Sequence, residues 1–382
     1  MPWSPRDTMK LRHDFVTLAQ PQELSMTELC QRFGVSRQTG YKWLKRYRDE
    51  GPEALADRSR RPRSSPARSA PEIEQRVLQV RAEHPAWGAR KISRRLADLG
   101  VAPAPVPSTV NSILKRRGLI DEQASADATA WQRFERAQPN ELWQMDFKGD
   151  FGTLSEGRCY PLTVLDDCSR FNVALQACSS TQTETVRAHL QRTFAQYGLP
   201  VQINTDNGAP WGSPGKSGQL SELAIWLIRL GIQISFSRPY HPQTNGKDER
   251  FHRSLKAEVL NGRSFVTHTE VQAGFDRWRE IYNHQRPHEG IELDTPGRRY
   301  RPSPRAMPST LAPVEYGPDD EVLRVGWNGK LTFRGHRLKV SSALHRMDVA
   351  ARPSPRKADV YDLYFAHHRL MTFDLNQPDA SI

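Results

Sequence analysis

The sequence has few cysteines and no long apolar run. Its four cysteines (Cys30, Cys159, Cys168 and Cys178) form no Cys-x-x-Cys pair, and no signal peptide precedes them. Neither a disulfide framework nor a zinc finger is therefore indicated. No apolar stretch approaches the ~18 residues that a membrane span requires, so no membrane partner is expected. These absences favour a protein of the reducing cytoplasm.

Excess positive charge is missing from most of the chain and is concentrated near its start. Residues 1–120 contain 23 Lys and Arg against 12 Asp and Glu, whereas residues 121–382 contain 32 against 31. A concentrated basic region usually marks a polyanionic partner, and nucleic acid is favoured over a membrane because no amphipathic anchor accompanies the charge. The alternative is that the charge serves only solubility. On the first interpretation, DNA binding is expected in residues 1–120.

The segment over residues 26–50 predicts a short helix, a turn at Gly34 and a second helix with Ser36 as its N-cap. It resembles a helix-turn-helix, placed in a module over residues 1–55, whose second helix would enter the major groove. Gly40 departs from the pattern, since an apolar residue usually stands there and Gly costs a helix about 1 kcal/mol. The alternative is an ordinary helical pair. The exposed side of the second helix carries the candidate DNA contacts Arg37, Gln38, Thr39, Lys42 and Lys45.

A linker rich in Pro, Ser and Arg is predicted over residues 56–70. Its arginines, among them Arg58, Arg60 and Arg61, are expected to lie along DNA phosphates, although a solvated tether explains the composition equally well. Helical patterns over residues 71–120, with Ser108 as the cap of the last helix, resemble a second helix-turn-helix module. A polar, Ala-rich linker over residues 121–138 marks the next domain boundary.

Beyond this linker the pattern changes from helical to mixed. Residues 139–300 alternate β-type and helical segments and predict an α/β core that ends with a helix over residues 269–288. Five or six short β-like runs between residues 321 and 376 predict a small β-barrel, placed in residues 318–382. The predicted fold class is multidomain, with N-terminal all-α modules, a central α/β core with a mixed sheet and a C-terminal small β-barrel.

Three carboxylates have positions that call for an explanation. Asp146 lies within an apolar strand, Asp206 ends another strand, and Glu249 begins a helix. Taken singly, they could satisfy a turn, cap a loop and complement a helix N-terminus. An acid at a buried strand is nevertheless costly unless it is paired or binds a cation. Three converging acids would bind divalent metal, and two ions about 4 Å apart can promote phosphoryl transfer.

Four motifs carry a resemblance to a known family. "WQMDF", "LDDCSR", "NTDNG" and "YHPQTNGKDERFHRSLK" follow one another across residues 143–256. Together they resemble the RNase H-like catalytic core of the DDE integrase and transposase superfamily. The later segment "YNHQRPHEGIELDTP" and the tandem helix-turn-helix modules are similar to those of bacterial insertion-sequence transposases. The segment between the second and third acids is longer than is usual in the family, and the surplus is expected in "GSPGKSGQ".

The resemblance implies a site, a cofactor and a reaction. It makes Asp146, Asp206 and Glu249 the catalytic residues and the ligands of Mg²⁺ or Mn²⁺, with two ions expected. The implied enzyme is a polynucleotidyl transferase of the bacterial cytoplasm and nucleoid that binds the terminal inverted repeats of an element. It would cut 3′ ends and join them to target DNA as a homo-oligomer. Two alternatives remain: an RNase H-like nuclease that hydrolyses without joining, and a DNA-binding regulator with an inactive core.

Two adjacent carboxylates compete for the third catalytic position. At 100° per residue, Glu249 shares a helix face with Asn245, Arg253 and Lys256, which together with Lys247 are candidate DNA contacts. Asp248 lies instead on the stripe of Phe251, Leu255 and Val259 that should pack on the sheet. Its expected role is to complement the positive N-terminus of the helix. Periodicity alone allows either acid, and the register of the family motif selects Glu249.

Overall fold

The computed structural model describes residues 8–21, 24–58, 69–120, 135–212, 220–237, 246–355, 357 and 359–376. The chain divides into two compact units, Met1–Arg68 and Ser69–Ile382. Within the described ranges, no helix combines the length and the apolar character that a bilayer span requires.

The first unit contains three helices: α1 (Thr8–Ala19), α2 (Met26–Phe33) and α3 (Arg37–Glu50). Ser25 and Glu28 form a capping box at the start of α2, and Gly34 ends it in the left-handed conformation. The Ser36 hydroxyl caps α3 by accepting a hydrogen bond from the Thr39 N–H (3.2 Å). The predicted helix pair, its turn and its N-cap are therefore confirmed. The sequence did not predict α1, which adds Phe15 and Val16 to the core of this unit.

The departure at Gly40 is explained by close helix packing. A Cβ atom at this position would lie 2.7 Å from the Cys30 Sγ atom of α2 and 2.8 Å from the Phe15 Cζ atom of α1. The absence of a side chain at Gly40 therefore lets the three helices approach one another. The low helix propensity of Gly40 is offset here by the free energy gained from burying neighbouring side chains.

The second unit begins with α4 (Pro71–Glu83), α5 (Ala89–Asp98) and α6 (Pro107–Arg116). Trp87, Ile92 and Leu96 are completely buried in the core that these helices share. The prediction that Ser108 caps the last helix is wrong. Val106 occupies the cap position and Pro107 is the first helical residue, because the fixed φ of proline suits the first turn of a helix.

The central region is a mixed sheet covered by helices. Its strands are β1 (Leu142–Phe147), β2 (Phe151–Gly152), β3 (Arg158–Asp166), β4 (Asn172–Cys178), β5 (Gln202–Thr205) and β6 (Gln233–Phe236). The main order is β4-β3-β1-β5-β6, and β2 pairs with the start of β3. β1 is antiparallel to β3 and parallel to β5, which is parallel to β6. This is the mixed sheet of an integrase-like RNase H fold.

Helices pack on both faces of this sheet. The helices α7 (Thr183–Tyr197) and α8 (Glu222–Arg229) cover one face, where Trp143, Val164 and Phe194 are buried. On the other face lie α9 (Gly246–Leu255), a π-helical turn (Lys256–Leu260) and α10 (His268–His284). Leu165 and Phe275 belong to the core of that face. A short helix, α11 (Pro296–Arg299), follows.

The C-terminal region is built from antiparallel strands. These are β7 (Glu321–Arg324), β8 (Lys330–Phe333), β9 (His336–Lys339), β10 (Asp348–Pro353), β11 (Val360–Phe365) and β12 (His368–Asp374). They form one four-stranded sheet, β12-β11-β10-β7, and a β8-β9 hairpin. The predicted strands are confirmed, but no pairing between the described strands closes them into the predicted barrel. Their apolar core continues onto Ile225 and Ile228 of α8 and onto Leu220, which precedes that helix.

Replacing Gly40 with Ala is expected to destabilise the first unit, although alanine is the better helix former. Overpacking costs about 1–3 kcal/mol, whereas the gain in helix propensity is about 1 kcal/mol. The free energy of unfolding, measured by urea denaturation, should therefore fall for Gly40→Ala but not for Lys45→Ala, which alters an exposed residue of the same helix. A Gly40→Ala protein as stable as the wild type would show that the helices separate readily to accept a methyl group.

Candidate active site

Three acidic residues lie at one edge of the core sheet. Asp146 is near the end of β1, and Asp206 directly follows β5. Because β1 and β5 are parallel neighbours, their carboxyl ends lie at the same edge. Glu249 is in the first turn of α9, a helix that contacts β1. The fold thus directs the three predicted acids to one region of the second unit.

The electrostatics of Asp146 reflect this convergence. Burial raises the pKa of Asp146 to about 7; the charges of Asp206 and Glu249 act in the same direction, and a 2.8 Å hydrogen bond from the Phe147 N–H opposes them. Burial also raises the pKa of Asp206, against a 3.0 Å hydrogen bond from the Gly208 N–H. Asp146 is therefore close enough to both other acids to be repelled by their charges.

A fourth acid, Asp248, lies beside Asp146 in a buried polar cluster. The Thr163 hydroxyl is 3.3 Å from both Asp248 carboxylate oxygens and 2.8 Å from the His252 Nε2 atom. Ligand atoms of Asp146, Asp248 and His252 all lie within 4.8 Å of one another. Burial, followed by the charge of Asp146, raises the pKa of Asp248 well above its usual range, and burial lowers the pKa of His252 to about 3. Burial therefore favours the protonated form of Asp248 and keeps His252 uncharged near neutral pH.

This cluster corrects the role that the sequence suggested for Asp248. Phe251, Leu255 and Val259 are buried with it, as the helical periodicity predicts. Asp248 itself is only 1% exposed, however, and burial disfavours its ionised form. Burial therefore disfavours the negative charge that the expected role at the helix N-terminus requires. Sequence analysis also missed His252, which lies one helical turn after Asp248, at a spacing that could have indicated a pair.

The opposite face of α9 is exposed and carries Glu249, Arg253 and Lys256. Lys247 differs from them, because its ammonium forms a 2.5 Å ion pair with the buried Asp167 and its side chain is only 17% exposed. The prediction that Lys247 contacts DNA is therefore revised. The ion pair between Lys247 and Asp167 connects the start of α9 to the loop after β3.

The "LDDCSR" motif holds this part of the fold in place. Asp166 is fully buried and accepts hydrogen bonds from the Asn140 N–H (2.7 Å) and from the N–H and hydroxyl of Ser169 (2.8 and 2.6 Å). Asp167 accepts one from the Gln144 side chain (2.8 Å). Both carboxylates are thus occupied by partners in the scaffold.

The candidate DNA contacts of the first unit are mostly on its surface. Arg37, Gln38, Lys42 and Lys45 are exposed on α3, whereas Thr39 is half-buried. Its hydroxyl is 2.9 Å from that of Ser36. The guanidinium of Arg58 pairs with Glu50. Arg60, Arg61 and Asn245 lie outside the described residues, as does most of the "GSPGKSGQ" segment.

The donor set at the sheet edge suits a hard divalent cation. Asp146, Asp206 and Glu249 offer only carboxylate oxygens, the ligands that Mg²⁺ and Mn²⁺ accept. Among the described residues, no ion pair neutralises any of the three. The raised pKa of Asp146 shows that these acids lack sufficient positive charge around them. A bound cation would supply it.

Comparison with protein families agrees with this architecture. Integrase core domain models match residues 136–242 and 230–296, and an IS481 family transposase C-terminal domain matches residues 320–381. A helix-turn-helix domain matches residues 14–63 and a homeodomain-like domain matches residues 39–114. These matches assign residues 136–296 to an integrase core domain, and the regions before and after it to helix-turn-helix domains and a transposase C-terminal domain.

Curated relatives include proteins of bacterial insertion elements. The insertion element IS407 uncharacterized 31.7 kDa protein of Burkholderia multivorans is 30% identical over 159 residues, which cover 41% of this chain and 54% of the relative. The transposase for insertion sequence element IS904 of Lactococcus lactis is 29% identical over 168 residues (43% of this chain, 63% of the relative). The chain therefore spans between half and two thirds of the length of these relatives. The magnesium complex of the HTLV-2 integrase catalytic core domain shares 18% identity at a TM-score of 0.33, over 43% of this chain and 99% of that one.

Replacing Asp146 with Asn is expected to stabilise the metal-free protein at pH 8 more than at pH 5. The pKa of this acid is about 7 in the folded chain against 3.8 for an unperturbed carboxyl. Its contribution to stability is therefore lost as the pH rises through this interval, and the neutral amide avoids that loss. Melting temperatures in EDTA would show the difference, with Asp319→Asn, on an exposed loop, as the control. Equal shifts at the two pH values would contradict the repulsion inferred around Asp146.

Proposed function

We propose that this protein is a DDE transposase that binds the ends of a DNA element, cuts their 3′ ends and joins them to target DNA. The observation that carries the proposal is the convergence of Asp146, Asp206 and Glu249 at one sheet edge in an integrase core. The match of residues 136–296 to integrase core domain models supports the reaction class. The assignment of the three acids as the catalytic triad rests on the motif register and on the electrostatic coupling of Asp146.

Asp146, Asp206 and Glu249 would hold one or two Mg²⁺ or Mn²⁺ ions. When bound, such ions neutralise phosphate charge and make an attacking water or 3′-hydroxyl more nucleophilic. The three side chains are placed differently for this task. Asp146 is half-buried in the sheet and Asp206 is oriented by the Gly208 N–H, whereas Glu249 is exposed to an approaching DNA strand.

The exposed face of α9 is suited to the DNA backbone. Arg253 and Lys256 lie on the same side of the helix as Glu249 and are exposed. Cations at these positions would bind phosphates on either side of the scissile bond and thereby position it against the acids. Asn245 lies outside the described residues, and its contact with DNA stays a prediction from the sequence.

Recognition of the element ends is proposed for the helix-turn-helix modules. In the first module, Arg37, Gln38, Lys42 and Lys45 present a polar, basic side of α3 that fits the major groove. In the second, α6 buries Val110, Ile113 and Leu114 and exposes Ser108, Asn111 and Ser112. Both helices thus offer hydrogen-bonding side chains opposite an apolar face. Because two ends must be joined to one target, a homo-oligomer is proposed.

Asp248 and Glu249 are proposed to have different roles. Asp248 is buried and hydrogen-bonded to Thr163, and its raised pKa favours the protonated form, so it is proposed to maintain the contact between α9 and β3. Glu249 is exposed on the face that carries Arg253 and Lys256. A neutral amide can replace a protonated carboxyl in a buried cluster at little cost, whereas it cannot replace a metal-binding carboxylate.

Glu249→Gln should abolish both cleavage and joining, while Asp248→Asn should retain most of the activity. The test incubates each purified full-length variant with Mg²⁺ and labelled duplexes carrying the inverted repeats that flank the gene. Gel analysis then follows shortened and joined strands. Melting temperature and binding of the same duplex in EDTA serve as controls for folding and end recognition.

Three outcomes would contradict this assignment. An active Glu249→Gln protein would show that Glu249 is not the catalytic acid. An inactive but folded Asp248→Asn protein would assign that role to Asp248. Wild-type protein that shortens strands but never joins them would identify a nuclease. Wild-type protein that binds ends and neither cuts nor joins would identify a DNA-binding regulator.

A further inference from the structure

The second helix-turn-helix module is packed onto the catalytic core. Residues from Ser69 onward form one compact unit. The apolar core of α4, α5 and α6 extends to Ile281 of α10. The Arg95 guanidinium of α5 donates a 2.8 Å hydrogen bond to the side-chain oxygen of Gln285, just after α10. The module is therefore fixed to the segment that follows the core helices.

Four charged residues, which we call the α5 ion network, strengthen this attachment. They are Arg94 and Asp98 on α5, Asp294 before α11 and Arg298 within it. Arg94 lies 3.1 Å from Asp98 and 3.8 Å from Asp294, and Arg298 lies 3.5 Å from Asp98 and 3.4 Å from Asp294. Each of the four charges thus has at least two opposite neighbours, and Asp294 has a third in Arg299 at 3.9 Å. A network of this kind holds its members in place better than an isolated surface pair does.

A second set of contacts runs from α5 towards the catalytic helix. Lys91 is largely buried and lies within electrostatic reach of Arg286 and Glu258. Arg286 binds Glu258 at 3.0 Å and donates a 3.0 Å hydrogen bond to the Ser254 hydroxyl of α9. The helix that carries Glu249 is consequently linked, through side chains of low exposure, to the same face of α5.

The docked face and the DNA-binding face of the module are distinct. Lys91, Arg94 and Arg95 place α5 against the core. Asn111 and Ser112 of α6 are exposed, and neither has a recorded contact with the core. The module can therefore bind DNA through α6 without releasing α5 from the core.

We propose that the α5 ion network sets the distance between the bases read by α6 and the phosphate cut at the acidic site. Its four members are positioning residues that act through the docking of the module. This role rests on the proposed transposase function. Loss of the network should leave the module able to bind DNA but free to vary its position relative to Asp146 and Glu249, so that cleavage spreads over neighbouring phosphates.

The test compares full-length wild type, Asp98→Asn, Arg298→Gln and the double variant on labelled inverted-repeat duplexes with Mg²⁺, with cut positions mapped to the nucleotide. Each single variant should spread the cuts, while affinity for the duplex changes by less than about twofold. Because the two changes share the Asp98–Arg298 contact, the double variant should spread the cuts by less than the sum of the two single effects. Arg90→Gln, an exposed charge loss on α5, should cut as the wild type does.

Hydrogen–deuterium exchange of the free proteins provides a readout that needs no catalysis. Amides of α5 and α11 should exchange faster in the single variants than in the wild type and Arg90→Gln. Unchanged exchange would show that the network does not hold the module. Faster exchange with wild-type cut positions would show that docking does not set the spacing. A wild-type protein that cuts nothing would overturn the proposed function and the positioning role with it, whatever the exchange result.

Discussion

The burial of neighbouring carboxylates at one edge of a β-sheet is the constraint on which the rest of this structure depends. Asp146 and Asp206 are brought together because β1 and β5 are parallel neighbours, and α9 adds Glu249. Burial raises the pKa of both Asp146 and Asp206, and the charges of Asp206 and Glu249 raise that of Asp146 further. The charged forms of these carboxylates are disfavoured in the metal-free protein. A cation that neutralises them would therefore bind favourably.

Contacts around the three acids hold α9 against the sheet. Thr163 joins β3 to Asp248 and His252, and the pair between Lys247 and Asp167 fixes the start of α9. The Lys247–Asp167 pair is internally neutralised, so it adds no net charge beside the acids. Further along the chain, Arg286 joins Glu258 of the π-helical turn to Ser254 of α9, and Gln285 joins the end of α10 to Arg95 of the second helical module. The proposed catalytic residues and the second helical module therefore belong to one set of packed elements.

Local patterns in the sequence predicted much of this fold. Ser36, Gly34 and the apolar positions around them define the first helix pair, and the stripe of Phe251, Leu255 and Val259 identifies the buried side of α9. Properties that depend on distant contacts could not be predicted in this way. The burial of Asp248 requires Thr163 and Asp146 from two other strands, and the pairing of Lys247 requires Asp167. Glycine is favoured at position 40 because two other helices pack closely against it. Closure of the C-terminal strands depends on pairings that periodicity does not encode.

The central claim is that Asp146, Asp206 and Glu249 form one divalent-metal site. A crystal of the full-length protein soaked in Mn²⁺, with anomalous scattering recorded, tests it directly. The account predicts one or two anomalous peaks within coordination distance of carboxylate oxygens from all three residues. A site free of Mn²⁺, or an ion held by Asp146, Asp248 and His252 without Asp206 and Glu249, would contradict it.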